Sequence, residues 1–213
     1  MRVLWISLAA LVLDQIVKLT VVHKMMLYES IPLVGDWFKW TYTLNPGMAF
    51  GVQIGPPWVV TAFAGFATLL IVLYLRYIRH AYTPYRASLA LILGGALGNI
   101  IDRVAYGKLF GLGGAFQDFA LTPFPYTEWF KGQVVDFVHV DLGLVNVPLL
   151  GPMHLFPIWN IADMAIVFGV IGFIAFQAKF QMTFEQVMKA RVPVAVSEPV
   201  LEPATSAAGM PRA

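Results

Sequence analysis

Four long apolar segments constrain this chain more than any other feature. They cover about residues 3–22, 58–77, 87–105 and 158–179. A helix needs about 20 apolar residues to cross a bilayer core of about 30 Å. Only 12% of the 213 residues are charged, whereas a soluble domain carries about 25%. Too little polar surface is left to solvate a fold of this size in water, so we predict an all-α membrane protein with four transmembrane helices.

The first apolar segment has two interpretations, a cleaved signal peptide or a retained membrane helix. Asp14 and Lys18 interrupt the apolar run, and no small-x-small cleavage site follows them. A secretory signal peptide has an uninterrupted apolar region before such a site. The segment is therefore predicted to be a retained helix.

Basic residues are distributed unevenly between the two sides that four spans create. Eight lie on the side of the termini: Arg2, Arg76, Arg79, Arg86, Lys179, Lys189, Arg191 and Arg212. Four lie on the other side: Lys24, Lys39, Lys108 and Lys131. Cytoplasmic loops are enriched in Lys and Arg. Both termini are therefore predicted to be cytoplasmic, with the loops 23–57 and 106–157 outside.

The two outer loops carry more than a simple connection requires. An alternating strand-like pattern from Trp37 to Leu44 predicts a small extracytoplasmic β-sheet, or cradle, resting on the membrane. The segment 106–157 is rich in Gly, Pro and aromatic residues and predicts an interfacial helix or lid. Residues 1–185 form the predicted membrane domain. Residues 186–213 have no pattern that can bury a core and are predicted to be a disordered cytoplasmic tail.

Polar and charged residues cluster near the outer ends of the third and fourth segments. Ionisable groups inside a membrane helix cost roughly 2.5–3.5 kcal/mol on insertion scales, so each one present indicates a function or a partner. Asn99 and Arg103 are four residues apart, with Asp102 beside them, and Asn160 and Asp163 are three apart. These spacings place each pair on one helix face.

A second carboxylate, Asp136, lies in the apolar string VVDFV of the second outer loop, and Asn45 lies at the same predicted depth. Two carboxylates at a low-dielectric boundary do not both ionise, so one acts as an acid and the other as a base. Asp136 and Asp163 are therefore candidates for an aspartic protease pair that activates a water molecule. The simpler alternative makes Asp163 a carboxylate near a helix dipole and Asp136 a surface charge.

Other classes of protein fit these residues less well. A small transporter or channel would relay protons or ions through Asp102, Asp163 and Lys18, but it needs its charges near the midplane of the membrane. A structural or assembly subunit has no need of Asp136 in an apolar loop. No basic run or basic-aromatic pattern indicates nucleic-acid binding.

Several kinds of site are excluded or disfavoured by residue type and spacing. The chain has no cysteine, which excludes thiolate catalysis and disulfides. His139, Asp141 and His154 lack the spacing of a metal-binding helix, so no metal and no cofactor is predicted. The glycines at 94, 95 and 98 follow no predicted strand and therefore favour close helix packing, or room for a lipid chain, over a phosphate loop.

Five segments, in order, resemble those of lipoprotein signal peptidase, also called signal peptidase II. They are LDQIVK at 13–18, NPGMAFG at 45–51, GGALGNIIDR at 94–103, VVDF at 134–137 and NIAD at 160–163. The likeness covers about residues 3–180. Two connections, from 103 to 134 and from 136 to 163, are longer than is usual in that family.

The resemblance implies roles for nine polar residues. It implies catalysis by Asp136 and Asp163, substrate binding by Asn45, Asn99, Arg103 and Asn160, and a structural role for Asp14, Lys18 and Asp102.

The resemblance also implies a substrate and a location. The substrate would be a prolipoprotein already modified with diacylglycerol, cut just before its lipid-bearing cysteine. The expected location is the bacterial inner membrane, with the active site on the outer side. Expected partners are prolipoproteins and membrane lipid, with no nucleic acid, and the protein is expected to be a monomer.

Simpler roles stay open for five of these residues. Asn160 can cap the fourth helix, Asn99 can bond one helix to another, and Arg103 can reach lipid headgroups. Asp14 and Lys18, four residues apart, can pair with each other or tie the first helix to an outer loop.

Overall fold

The computed structural model describes residues 2–49, 52–53, 57–111, 129–147, 151–154 and 156–191. Four of its helices are long and apolar enough to cross a membrane, which confirms the predicted four spans. The helices are α1 (Leu4–Lys24), α2 (Pro57–Tyr77), α3 (Thr83–Ile101), the short α4 (Gly107–Phe110) and α5 (Ile161–Arg191). Helix α3 starts four residues before the predicted segment, because Pro84 suits its first turn.

The outer end of α3 does not stop at Ile101. It continues through a π-helical turn, Asp102–Tyr106, into α4. Such turns are often found at functional sites, and this one carries Asp102 and Arg103. The lid predicted in the second outer loop falls largely on residues 112–128, which lie outside the described residues.

The last helix is longer than its apolar segment. Helix α5 runs through residues 186–191, which were predicted to belong to the tail, and ends at Arg191. Residues 192–213 lie outside the part of the chain that the structure describes.

A three-stranded antiparallel sheet lies near the end of α1 and the start of α5, in the order β1 (Ser30–Val34), β2 (Phe38–Asn45) and β5 (Val134–Val140). Strand β2 was predicted from its alternation, but β5 comes from the second outer loop and was not. The first four residues of β5 are all buried. A strand buried on both faces loses the period-two pattern that reveals a strand in a sequence. The described residues also contain two short antiparallel pairs, β3 (Met48–Ala49) with β4 (Val52–Gln53) and β6 (Leu144–Val147) with β7 (Gly151–His154).

Glycines on α3 allow the neighbouring helices to approach closely. A Cβ atom on Gly94 would lie 2.6 Å from the carbonyl oxygen of Ser7 on α1, and one on Gly95 would overlap the carbonyl of Ala162 on α5. The Ser7 hydroxyl also donates a 2.6 Å hydrogen bond to the carbonyl of Ala90. The predicted role of these glycines in helix packing is confirmed, and α3 is the helix on which the others assemble.

Candidate active site

Asp136 and Asp163 come from different elements and meet on either side of one side chain, Asn160. Asp136 lies on β5 and is 2% exposed, whereas Asp163 lies in the first turn of α5 and is partly exposed. The Asn160 Nδ2 atom donates a 2.6 Å hydrogen bond to Asp136 Oδ1. Its Oδ1 atom accepts a 2.8 Å hydrogen bond from the backbone N–H of Asp163. The structure therefore brings the two candidate catalytic residues together.

Backbone pairing places Asn160 beside Asp136. The residue before it, Trp159, bonds to β5: its carbonyl accepts hydrogen bonds from Phe137 and Val138 at 2.9 and 2.7 Å, and its N–H donates to Val138. Asn160 then begins α5 with a reciprocal cap, because its own N–H donates to Asp163 Oδ2 at 3.3 Å. The predicted capping role of Asn160 is confirmed, and the same side chain also contacts Asp136.

Two further asparagines hold the carboxylates. Asn99 on α3 donates a 2.8 Å hydrogen bond to Asp163 Oδ1 and accepts one of 3.2 Å from Asn160. Asn45, at the end of β2, donates a side-chain hydrogen bond to Asp136. The Oδ1 atom of Asn45 accepts a 2.9 Å bond from the N–H of Gly47, which leaves its NH₂ group for the carboxylate. Asn99 thus joins two helices and also lines the site.

The surroundings of Asp136 favour its neutral form. Burial raises the pKa of its carboxyl, and the nearby charge of Asp163 raises it further, to about 8. Hydrogen bonds from Asn45 and Asn160, and the positive charge of Lys18, act in the opposite direction. The net effect raises the pKa of Asp136 and favours its protonated form.

Arg103 adds a positive charge to the same site. It lies on the π-helical turn and interacts electrostatically with Asp136, Asp102 and Asp163. Its Nε atom is buried, and no hydrogen-bond partner for that atom is found among the residues that the structure describes.

Comparison with known proteins assigns this arrangement to a family. The family described as signal peptidase (SPase) II matches residues 6–179. The chain belongs to the signal peptidase II family. It is 37% identical to a lipoprotein signal peptidase of Amoebophilus asiaticus, over 78% of this chain and 72% of the relative. A second, from Chlorobium phaeobacteroides, is 35% identical over 79% of this chain and 84% of the relative.

Solved structures show the same fold. A bacterial membrane enzyme determined by the in meso method at 2.3 Å resolution has a TM-score of 0.56 and 25% identity, covering 84% of this chain and 88% of its own. A similar structure at 1.9 Å resolution has a TM-score of 0.53 and 26% identity, covering 82% and 90%. The protein is thus a multi-pass bacterial membrane protein, and nothing in these comparisons supports the alternative of a small transporter.

A buried charged cluster lies behind the site. Lys18 Nζ lies 2.9 Å from Asp14 Oδ2 and 2.7 Å from Asp102 Oδ2, and all three side chains are fully buried. The same ammonium group donates a 2.9 Å hydrogen bond to Asn99 Oδ1. Of the two interpretations of Asp14 and Lys18, their mutual pairing is confirmed. Lys18 also reaches Asp102 and Asn99 on the α3 segment.

The two carboxylates of this cluster bind backbone groups next to the catalytic candidates. Asp14 Oδ1 accepts a 2.9 Å hydrogen bond from the N–H of Ala162, the residue before Asp163. Asp102 Oδ2 accepts one of 3.2 Å from the N–H of Val135, the residue before Asp136. Through Asp102, the cluster therefore also ties the first helix to the second outer loop, the other role left open for Asp14 and Lys18.

Sequence reasoning missed two members of this cluster, Gln15 and Tyr106. Gln15 Nε2 donates hydrogen bonds to Asp102 Oδ1 at 3.1 Å and to Asp14 Oδ2 at 3.2 Å. The Tyr106 hydroxyl donates a 3.0 Å bond to Gln15 Oε1. The available signal was weak: Gln15 lies inside the first family motif, and Tyr106 follows the third.

Two of the three residues considered for a metal site, His139 and Asp141, have other partners. His139 Nδ1 lies 2.9 Å from the Thr41 hydroxyl, and Asp141 pairs with Lys39 at 2.9 Å. Lys39 lowers the pKa of Asp141 through this contact. In the ranges that the structure describes, no three potential ligands come together. The side chain of His154 lies outside those ranges.

Proposed function

We propose that this chain removes the signal peptide of diacylglyceryl-modified prolipoproteins as an aspartic endopeptidase, cutting before the lipid-bearing cysteine. The observation that carries the proposal is the convergence of two carboxylates, Asp136 and Asp163, on Asn160 at the outer end of the helices. Membership in the signal peptidase II family supports the class of substrate. Such a site cleaves a peptide bond without a metal or a cofactor.

The two aspartates take different roles because their surroundings differ. Asp136 is buried and holds its proton, with a pKa of about 8, so it is the acid. Asp163 lies near the N-terminus of a long helix, which favours a negative charge. It accepts hydrogen bonds from Asn99 and from the backbone of Asn160. These contacts, together with its partial exposure, make Asp163 the base.

The proposed reaction proceeds through a tetrahedral intermediate. Asp163 takes a proton from a water molecule as the water oxygen attacks the scissile carbonyl carbon, and Asp136 gives its proton to the carbonyl oxygen. When the intermediate collapses, Asp163 gives its proton to the leaving amine and Asp136 regains the one it donated. The C–N bond breaks, and both residues return to their starting states.

The substrate backbone is bound by groups around the dyad. Among the described residues, the buried Nε–H of Arg103 has no hydrogen-bond partner, so it can donate to a substrate carbonyl and stabilise the developing negative charge. Asn45 lies at the end of a strand beside Asp136 and can hold an extended peptide. The diacylglyceryl group stays in lipid, because the helices that carry the site cross the membrane.

The charged cluster positions the dyad in this proposal. Asp14 fixes the peptide group before Asp163, and Asp102 fixes the one before Asp136. Lys18 joins the two carboxylates. A change in the cluster would therefore displace the two catalytic groups relative to each other, and small displacements lower catalytic rates strongly.

The test is cleavage of a diacylglyceryl-modified prolipoprotein by the purified, full-length chain. We expect wild-type protein to release the signal peptide, and Asp136→Asn and Asp163→Asn each to abolish release while remaining folded. Asp141→Asn is the matched control, because it removes a carboxylate five residues from Asp136, and it should retain activity. The precursor without diacylglycerol should not be cut. Turnover by either dyad variant at the wild-type rate would contradict aspartic catalysis by this pair.

Orientation is a separate part of the proposal. We place both termini in the cytoplasm and the dyad on the outer side of the inner membrane, on the strength of the eight-to-four distribution of basic residues. Reporter fusions after Arg79 should report the cytoplasm, and fusions near Asp36 the outside. A cytoplasmic signal from a fusion near Asp36 would refute this orientation.

A further inference from the structure

A basic cavity lies at the end of the helices opposite the dyad. It measures about 740 Å³ and lies between the start of α1, the connection from α2 to α3, and the start of α3. Its lining residues are Arg2, Val3, Arg79, His80, Thr83 and Arg86. None of these residues is acidic, so three guanidinium groups surround a space that has no negative charge of its own.

Arg86 makes this cavity different from an ordinary basic surface. Its side chain is drawn into the protein, and the residue is only 8% exposed. Its Nε atom is buried, and within the described part of the chain no hydrogen-bond partner for it and no ion pair of Arg86 is found. A buried N–H donor without a partner is costly, and here it belongs to a charged guanidinium. Its position on the cavity wall indicates that an anion supplies the missing contact.

The start of α3 adds donors to the same cavity. Thr83 is the first residue of this 19-residue helix, and the residue before it makes no side-chain capping bond. Pro84 has no N–H and the Arg86 N–H bonds to the Tyr82 carbonyl, so the donors of the first turn are the N–H groups of Thr83 and Tyr85. Such groups point along the helix axis and favour negative charge. Guanidinium groups and a helix N-terminus together suit a phosphate group.

An apolar cleft on the same helices distinguishes a lipid from a free phosphate ion. Helices α1 and α2 both pack on α3 but, over their described lengths, scarcely touch each other. A cleft of about 300 Å³ therefore lies between them. It is lined by Leu4, Ser7, Leu8, Leu11, Val72, Leu75, Arg76, Leu93 and Leu97. Val3 lines the basic cavity and the next residue, Leu4, lines the cleft, so the two spaces lie beside consecutive residues at the start of α1.

We propose that the basic cavity and this cleft form a binding site for an anionic phospholipid, with its phosphate on Arg86, Arg79 and Arg2 and an acyl chain in the cleft. The site lies at a membrane surface, where such headgroups are concentrated. A signal peptide fits the cavity poorly, because its own amino-terminal region is positively charged. Bound lipid would hold the ends of α1, α2 and α3 together and stabilise the fold by mass action.

The experiment measures lipid binding to the purified, full-length chain in a non-ionic detergent. Dioctanoyl phosphatidylglycerol is titrated and followed by native mass spectrometry and by thermal unfolding. Dioctanoylglycerol, which lacks the phosphate, and inorganic phosphate, which lacks the acyl chains, are titrated in parallel. We expect the phospholipid to bind and to raise the melting temperature, and both partial ligands to bind at least about tenfold more weakly.

Three variants test the residues. Arg86→Gln and Arg79→Gln should each weaken phospholipid binding by about tenfold, the effect of one charge-assisted hydrogen bond. Lys179→Gln removes an exposed positive charge from the same end of the helices, but Lys179 lines neither the basic cavity nor the cleft, so this variant should bind as the wild type does. Since Arg79 is exposed, its variant decides the question even if Arg86→Gln does not fold.

Three outcomes would overturn the proposal. Equal weakening by Lys179→Gln would indicate general surface charge, and inorganic phosphate binding as tightly as the phospholipid would indicate an ion site. Binding that requires removal of residues 192–213 would assign the cavity to the carboxylates of that segment, Glu198 and Glu202. Cleavage of prolipoprotein by Arg79→Gln should be retained in every case, because the dyad lies at the other end of the helices.

Discussion

Replacing Asp136 by asparagine should abolish cleavage and also make the protein more stable at alkaline pH. Burial and Asp163 raise the pKa of Asp136 from 3.8 to about 8 in the folded protein. The unfolded chain ionises this carboxyl above about pH 4, whereas the folded protein does so only above about pH 8. Between these values the unfolded state is increasingly favoured, so stability that is present at pH 4 is lost as the pH rises to 8.

The size of this effect follows from the two pKa values. One pH unit corresponds to about 1.4 kcal/mol, so a pKa moved from 3.8 to about 8 is equivalent to a loss on the order of 5 kcal/mol at pH 8 and above. Asparagine has no charge to bury. Asn45 and Asn160 both donate hydrogen bonds to the carboxylate of Asp136. In the variant, the NH₂ group of the new asparagine would face one of these donors, and two donors cannot form a hydrogen bond. That mismatch costs roughly 1–3 kcal/mol at every pH.

The assay is the free energy of unfolding of wild type and Asp136→Asn in mixed micelles, measured from pH 4 to pH 8.5. We expect the variant to be the less stable protein at pH 4 and the more stable one at pH 8.5. Asp141→Asn is the control: Lys39 lowers the pKa of Asp141, so this residue contributes stability above its unfolded pKa that is lost in acid. Its removal should therefore give no gain at pH 8.5.

A constant difference in unfolding free energy between wild type and Asp136→Asn across the whole pH range would refute this reasoning. It would mean that Asp136 has the same pKa in the folded and unfolded protein. The assignment of Asp136 as the acid of the dyad would then lose its physical basis, even if the variant were inactive.

Three further predictions test the site and its support. Cleavage by the wild type should decline as the pH rises above about 8, because Asp136 loses its proton; a rate that keeps rising to pH 10 would contradict this. Lys18→Met should cost about 3–5 kcal/mol of unfolding free energy by leaving buried carboxylates unpaired, and adding Asp102→Asn should restore part of it; additive losses in a double-mutant cycle would show that the pair is not coupled. Gly98→Ala should lower both cleavage and unfolding free energy, the latter by about 1–3 kcal/mol, because the new Cβ would lie 2.5 Å from a carboxylate oxygen of Asp14. Gly65→Ala, with nothing within 4 Å, is its control and should stabilise the helix.

The stability of this membrane domain depends on paired charges in its interior as well as on apolar packing. Asp14, Lys18 and Asp102 are each fully buried. An apolar cluster of the same volume could be equally stable. The carboxylates of the charged cluster, however, accept hydrogen bonds from two specific backbone N–H groups. Apolar side chains cannot accept hydrogen bonds. We therefore attribute its presence to the positioning of the dyad.

The sequence by itself determined the four spans and the common end of the third and fourth spans at which the polar residues collect. Both follow from local properties, since the length of an apolar run fixes a span and a spacing of three or four residues fixes a helix face. Asn160 and Asp163 illustrate this: their spacing predicted a shared face, and the structure shows the reciprocal cap. The motifs around Asp136 and Asp163 also carried the likeness to the family.

Only the tertiary structure decided how these residues contact one another. Asp14 binds the N–H of Ala162, 148 residues away, and Asp102 binds that of Val135, 33 residues away. Strand β5 and the basic cavity around Arg86 likewise bring together segments that are remote in the chain. Sequence periodicity reports which face of an element is apolar, but it contains no information on which remote backbone group will lie opposite a given carboxylate. That pairing is set by the close packing of α1 and α5 on the glycines of α3.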